Sequence, residues 1–125
     1  MHTIQQRVEQ VQQHINQLTT HPITLMVASK YHSITAIQEA YATGLSDFGE
    51  NTLQTALPKI QTLSHLSITW HFIGRLQSNK IKRIAQHFDW IHSVATPADI
   101  IALTDASRTR EHPLNVCIQV GLCAT

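Results

Sequence analysis

No run of apolar residues in this chain of 125 approaches the length a membrane-spanning helix needs. The polar start Met1-His2-Thr3-Ile4-Gln5-Gln6 is no signal peptide. Charge of one sign is also lacking. Nine Lys and Arg against eight Asp and Glu leave a formal net charge of +1, so neither a basic surface for nucleic acid nor an acidic tail is present. Cysteine is scarce: Cys117 and Cys123 stand in neither a zinc nor a C-x-x-C spacing, and read as reduced cytosolic thiols. These absences lead to the expectation of one soluble, cytoplasmic domain with no membrane and no nucleic-acid partner.

The common signatures of chemistry are missing too. There is no G-x-G-x-x-G and no G-x-x-x-x-G-K-[ST], which removes the dinucleotide fingerprint and the phosphate-cradling loop. There is no G-x-S-x-G elbow for a nucleophilic serine. Nine histidines are spread over the chain without an H-E-x-x-H or a pair at i, i+4, so no metal site is expected and most should face solvent. A phosphoacceptor of the receiver kind would need carboxylates where the first and third strands end. Those ends read Ala28-Ser29-Lys30 and Phe72-Ile73-Gly74.

What is present is a regular alternation. Ile4, Val8, Val11, Ile15 and Leu18 recur at helical spacing, an amphipathic helix over 3–19 ahead of the first strand. Ile23 to Lys30 reads as a buried strand ending in a single amine. Thr35-Ala36-Ile37-Gln38 resembles a capping box for a helix through Ala42, stopped by Gly44. Leu45–Asn51 is a second strand. Leu53, Leu57, Ile60 and Leu63 mark a helix that Pro58 either kinks or starts. Ser67–Gly74 is a third strand, and Ser78 is placed to cap a helix burying Ile81, Ile84, Ala85 and Phe88, with Lys80, Lys82 and Arg83 outside. Trp90–Val94 is a fourth strand, Thr96-Pro97 opens a helix, and Leu114–Leu122 is a fifth strand.

Strands alternating with helices give an α/β fold with a parallel sheet. Two architectures fit: a complete five-stranded doubly wound domain, or the first part of an eight-stranded barrel of roughly 250 residues. Lys30, at the carboxyl end of its strand, is either a solvated charge or a lysine that forms a Schiff base with an aldehyde. Asp47 and Glu50 read as a turn residue and as a hydrogen-bond acceptor behind the site.

One stretch is specific. Trp70-His71-Phe72-Ile73-Gly74-Arg75-Leu76-Gln77-Ser78-Asn79-Lys80, with Ile84 beyond it, closely resembles the signature of the pyridoxal phosphate homeostasis proteins, the YggS/PROSC family. Ala28-Ser29-Lys30 resembles that family's cofactor-lysine motif, and Phe48-Gly49-Glu50-Asn51 the end of its second strand. His87–Ser93 and Asn115–Val120 continue the likeness, which runs in order from about Ile23 to Val120. The resemblance implies the N-terminal part of a (β/α)8, TIM-like barrel similar to the N-terminal domain of alanine racemase, with residues 1–125 forming a partial barrel domain truncated after the fifth strand.

It further implies that pyridoxal 5′-phosphate is bound as a Schiff base on Lys30, with Asn51 beside the cofactor and His71 on a strand lining the site. No catalytic residue is implied, since members buffer and deliver the cofactor without robust turnover, PLP-dependent apoenzymes being the recipients. Gln77 to Lys80 shape their loop. The family's phosphate-binding residues lie in later strands, and Gly121-Leu122-Cys123-Ala124-Thr125 departs from its usual polar sequence. Two alternatives stand beside this reading. One is a fragment that works only as an oligomer, two open sheet edges inviting a second copy. The other is a racemase-like enzyme, which needs a second base.

Overall fold

The computed structural model describes residues 2–122, and Cys123 lies outside them. Five strands alternate with helices: α1 (Ile4–Leu18), β1 (Met26–Ala28), α2 (Ile34–Ala42), β2 (Asp47–Glu50), α3 (Leu53–Thr62), β3 (Thr69–Phe72), a 3-10 turn (Ser78–Lys80), α4 (Ile81–His87), β4 (Trp90–Val94), α5 (Pro97–Ala106) and β5 (Asn115–Ile118). All pairings are parallel, and the strands lie in chain order, β1-β2-β3-β4-β5. That order decides between the two architectures. A doubly wound sheet reverses direction at a switch point, so its first strand lies inside the sheet. Here every crossover moves one strand further the same way, as in a barrel. The fold is the N-terminal part of a TIM-like (β/α)8 barrel.

Side chains alternate across a strand, so each strand has a helix-facing side and a concave, inner side. Phe48, Trp70, Phe72, Ile91 and Val94 face the helices and are buried, against Ile37 and Ala40 of α2, Leu53 and Ala56 of α3, Ile81, Ile84 and Ala85 of α4, and Leu103 of α5. Fully burying a side chain such as Phe48 or Phe88 is worth about 1.5–3 kcal/mol each, so this layer holds most of the fold's stabilisation. The inner side carries Met26, Gly49, His71, Trp90 and His92. It is the polar side.

Local chemistry sets the element ends. Thr3 caps α1 in a reciprocal box with Gln6, and Thr96 caps α5 in the same way with Asp99, Pro97 standing where no amide hydrogen is required. Gly44 ends α2 at φ +101°, as the sequence predicts.

Several boundaries differ from the sequence reading. The cap of α2 is Ser33, accepting from the Ala36 amide, rather than Thr35. The helix α3 begins at Leu53 and continues through Pro58, whose missing amide hydrogen leaves the Gln54 carbonyl without its usual donor. Ser78 makes no side-chain cap bond, because the chain enters α4 through a 3-10 turn. Of the first strand only Met26–Ala28 pairs, since it is a sheet edge and Ile23 is exposed.

Candidate functional site

The sheet's carboxyl rim begins with a tight turn. Ser29 leaves β1 with its amide donating to the Gly49 carbonyl (2.9 Å), and its own carbonyl accepts the His32 amide (3.1 Å). Lys30 and Tyr31 are the two central residues of this turn, and Tyr31 has φ +66°. That is the left-handed region, where a side chain is strained. Lys30 is therefore exposed on a loop rather than sheltered at the end of a buried strand. Its Nζ lies 5.8 Å from the Tyr31 ring centroid.

Two residues beyond the level of Gly49, Asn51 follows β2 on the same rim. Its Oδ1 is buried and has no hydrogen-bond partner. Gly74, at the end of β3, lies so close that a Cβ there would be 1.8 Å from the Asn51 carbonyl oxygen. The absence of a side chain at Gly74 lets the backbone after β3 rest on Asn51 and fix it.

One layer down the inner face, His71 is joined to two neighbours. Its Nε2 is 2.9 Å from Asp47 Oδ1, and its Nδ1 is 2.9 Å from His92 Nε2. A carboxylate only accepts, so His71 carries a hydrogen on Nε2; when its ring is neutral, Nδ1 accepts from His92. The His71 ring also stacks on Trp90, with centroids 5.8 Å apart and planes 12° from parallel. Asp47 is thus a strand residue that orients a histidine, and the turn assignment made from the sequence is corrected. Burial, and next the neighbouring His71, hold the His92 imidazole below its ordinary value of 6.5.

Behind the rim, on the helix side, Glu50 is fully buried. Lys59 of α3 reaches it, with Nζ 2.9 and 3.2 Å from the two carboxylate oxygens. The same ammonium donates to the Ser29 carbonyl at 3.1 Å, and the Ser29 hydroxyl donates to Glu50 Oε2. Removing one partner of such a pair leaves the other charge buried, at a cost of about 3–5 kcal/mol. The acceptor role expected for Glu50 is present, while Lys59 was missed from the sequence. Its signal was a charge on the stripe that also holds Leu53, Ala56, Ile60 and Leu63.

Lys30 in the turn after β1, Asn51 just past β2 and His71 on β3 fall on neighbouring βα units toward the carboxyl end of one sheet, with His71 level with Gly49. Among the described residues no cluster of three or more His, Cys, Asp or Glu could hold a metal ion, and no helix is long and apolar enough to cross a membrane. A groove of about 820 Å³ lies toward the opposite, amino end of the sheet, lined by Gln12, Ile15, Ile23, Leu25 and Leu45 and reaching Asp47.

No family model matches the chain. Curated relatives do. The chain is 46% identical over 100 residues to a pyridoxal phosphate homeostasis protein of Pseudomonas aeruginosa, covering 80% of this chain and 44% of that protein. It is 37% identical over 126 residues to one of Haemophilus influenzae, covering 98% of this chain and 52% of the relative. Among solved structures, PipY of Synechococcus elongatus with PLP bound superposes with a TM-score of 0.84 at 37% identity, over 97% of this chain and 56% of PipY. The chain spans about half the length of the proteins it matches. At these identities, over four-fifths or more of its own length, the chain belongs to the family of pyridoxal phosphate homeostasis proteins.

Proposed function

We propose that this chain holds pyridoxal 5′-phosphate through the amine of Lys30, with Asn51 beside the cofactor and His71 in the wall beneath it. When bound, the cofactor supplies an aldehyde able to condense with a primary amine. The residues present fit that end of the molecule. Lys30 and Asn51 stand on the same rim, and Asn51 Oδ1 is a buried acceptor that has no protein partner. This unfilled acceptor is the observation that carries the reading, since a buried carbonyl oxygen is normally paired. PipY has been seen with PLP bound.

The role we infer is storage and delivery in the cytoplasm, with PLP-dependent apoenzymes as recipients and no robust catalysis. Proton transfer at a substrate would need a base with a free lone pair near Lys30. His71 has both ring nitrogens engaged, by Asp47 and by His92, which argues against racemase-like chemistry. Residues 1–125 act in this reading as a partial barrel domain, its edges β1 and β5 open to a further chain or a second copy.

The test is absorbance and trapping. Adding the cofactor should raise a band at about 400–430 nm, the expectation for an imine, and Lys30→Ala should abolish it. Borohydride reduction followed by peptide mapping should place the mass on Lys30. A band of equal height in Lys30→Ala, with the mass elsewhere, would refute the assignment.

A further inference from the structure

Lys59 is on the far side of the sheet from the cofactor side chains, yet it touches the backbone that presents Lys30. Its Nζ donates to the Ser29 carbonyl at 3.1 Å, and that carbonyl belongs to the peptide bond leading into Lys30. The same oxygen accepts the His32 amide that closes the turn. Glu50, buried in β2, holds the ammonium from the other side at 2.9 Å and also accepts from the Ser29 hydroxyl. Three elements converge on one peptide: β1 through Ser29, β2 through Glu50 and α3 through Lys59.

The turn needs such a hold. Tyr31 has φ +66° and is 96% exposed, so its own side chain packs against little that could repay the strain. A strained turn persists only where its surroundings over-determine it. From these contacts we infer that the buried Glu50–Lys59 pair is the device that positions Lys30, fixing the Ser29 carbonyl so that the amine is presented on the rim in one orientation. The pair also keeps the Lys59 amine, 12% exposed, occupied by a carboxylate. The aldehyde then meets the exposed amine of Lys30 rather than that of Lys59. This inference rests on the cofactor reading above for its consequence, though not for its geometry.

The test uses the full chain in four forms: wild type, Lys59→Arg, Lys59→Met and the double variant Glu50→Gln with Lys59→Met. The double variant removes both charges together and so guards against simple unfolding, which circular dichroism checks. In the cofactor-free chain, hydrogen exchange at the His32 amide should quicken by about tenfold or more in the folded double variant, because its acceptor is no longer held. With pyridoxal 5′-phosphate, borohydride trapping at Lys30 should slow by a similar factor, and Lys59→Arg, which keeps a donor to Ser29, should recover part of both effects. A folded double variant with wild-type exchange at His32 and wild-type trapping would overturn the inference. If wild type itself is never trapped at Lys30, the cofactor reading fails, and the exchange measurement alone decides whether the pair positions the turn.

Discussion

His71 and His92 share a single hydrogen between Nδ1 and Nε2 across 2.9 Å, while Asp47 holds a hydrogen on the other nitrogen of His71, Nε2. If both rings were protonated, each would present a hydrogen to the other and the bond would be lost. The inner face therefore holds no more than one imidazolium without breaking this contact. The lowered value of His92, caused first by burial and then by His71, expresses the same constraint.

Stability should consequently depend on pH in one direction. A histidine lowered in the folded state binds more protons when unfolded, so stability is complete above the unfolded value of 6.5 and falls as pH drops beneath it, levelling out below the folded value. Urea midpoints taken between about pH 7.5 and pH 5 should decline through that window. His92→Gln should flatten the decline. A midpoint that rises on acidification would contradict the assignment.

Asn51→Leu should separate stability from binding. It removes a buried acceptor that has no protein partner, at similar volume, so the cofactor-free chain should gain about 1 kcal/mol. Cofactor affinity should fall by about tenfold, the loss of one modest hydrogen bond. Thermal melts and titration at the imine band read the two effects. A variant that melts lower and binds as tightly as wild type would show the acceptor to be structural.

Gly74 and Gly44 should respond to alanine for different reasons. Gly74→Ala places a Cβ 1.8 Å from the Asn51 carbonyl oxygen, so backbone must move, at about 2 kcal/mol or more. At Gly44 nothing lies within 4 Å, and only the φ of +101° is penalised, about 1 kcal/mol. Gly74→Ala should also weaken cofactor binding, while Gly44→Ala should not. Equal losses of stability and binding in the two variants would contradict this account.

Arg110 stops α4. Its Nη1 donates to the Ala85 carbonyl at 2.6 Å and to the Phe88 carbonyl at 3.0 Å, and its Nε donates to the His112 carbonyl. A helix of seven residues depends on such an outside donor for its last carbonyls. Arg110→Met should cost about 2 kcal/mol, with Lys recovering little because one ammonium cannot span the fork. Denaturant unfolding of both variants gives the answer.

How much of this was legible in the residues varied with the kind of contact involved. The start of α5 and the whole of β4 could be placed to the residue, because Thr96-Pro97 writes a local helix start and Trp90–Val94 is bounded on both sides. Lys30 was found by its position after an apolar strand, but the turn that exposes it was not. A positive φ at Tyr31 has no local signal, since the residue is neither Gly nor Asn. The Lys59–Glu50–Ser29 contact spans elements far apart in the chain, and only the oddity of one charge on an apolar helix stripe announced it. The Asp47–His71–His92 row was hidden for the same reason. Each member belongs to a different strand, and the parallel register, which no single segment encodes, sets them on a diagonal, each two residues further along its strand than the level of the last.

The order of the strands carries a last consequence, for the way the chain comes together. Since β1 to β5 sit side by side in the sequence in which they are made, each new βα unit docks on the one completed just before it. Each pairing joins strands about twenty residues apart, and none needs a strand made later than its own two. A nascent chain can thus add its units one at a time as it leaves the ribosome, with the Lys59 anchor in place once α3 has emerged, before β3 to β5 emerge.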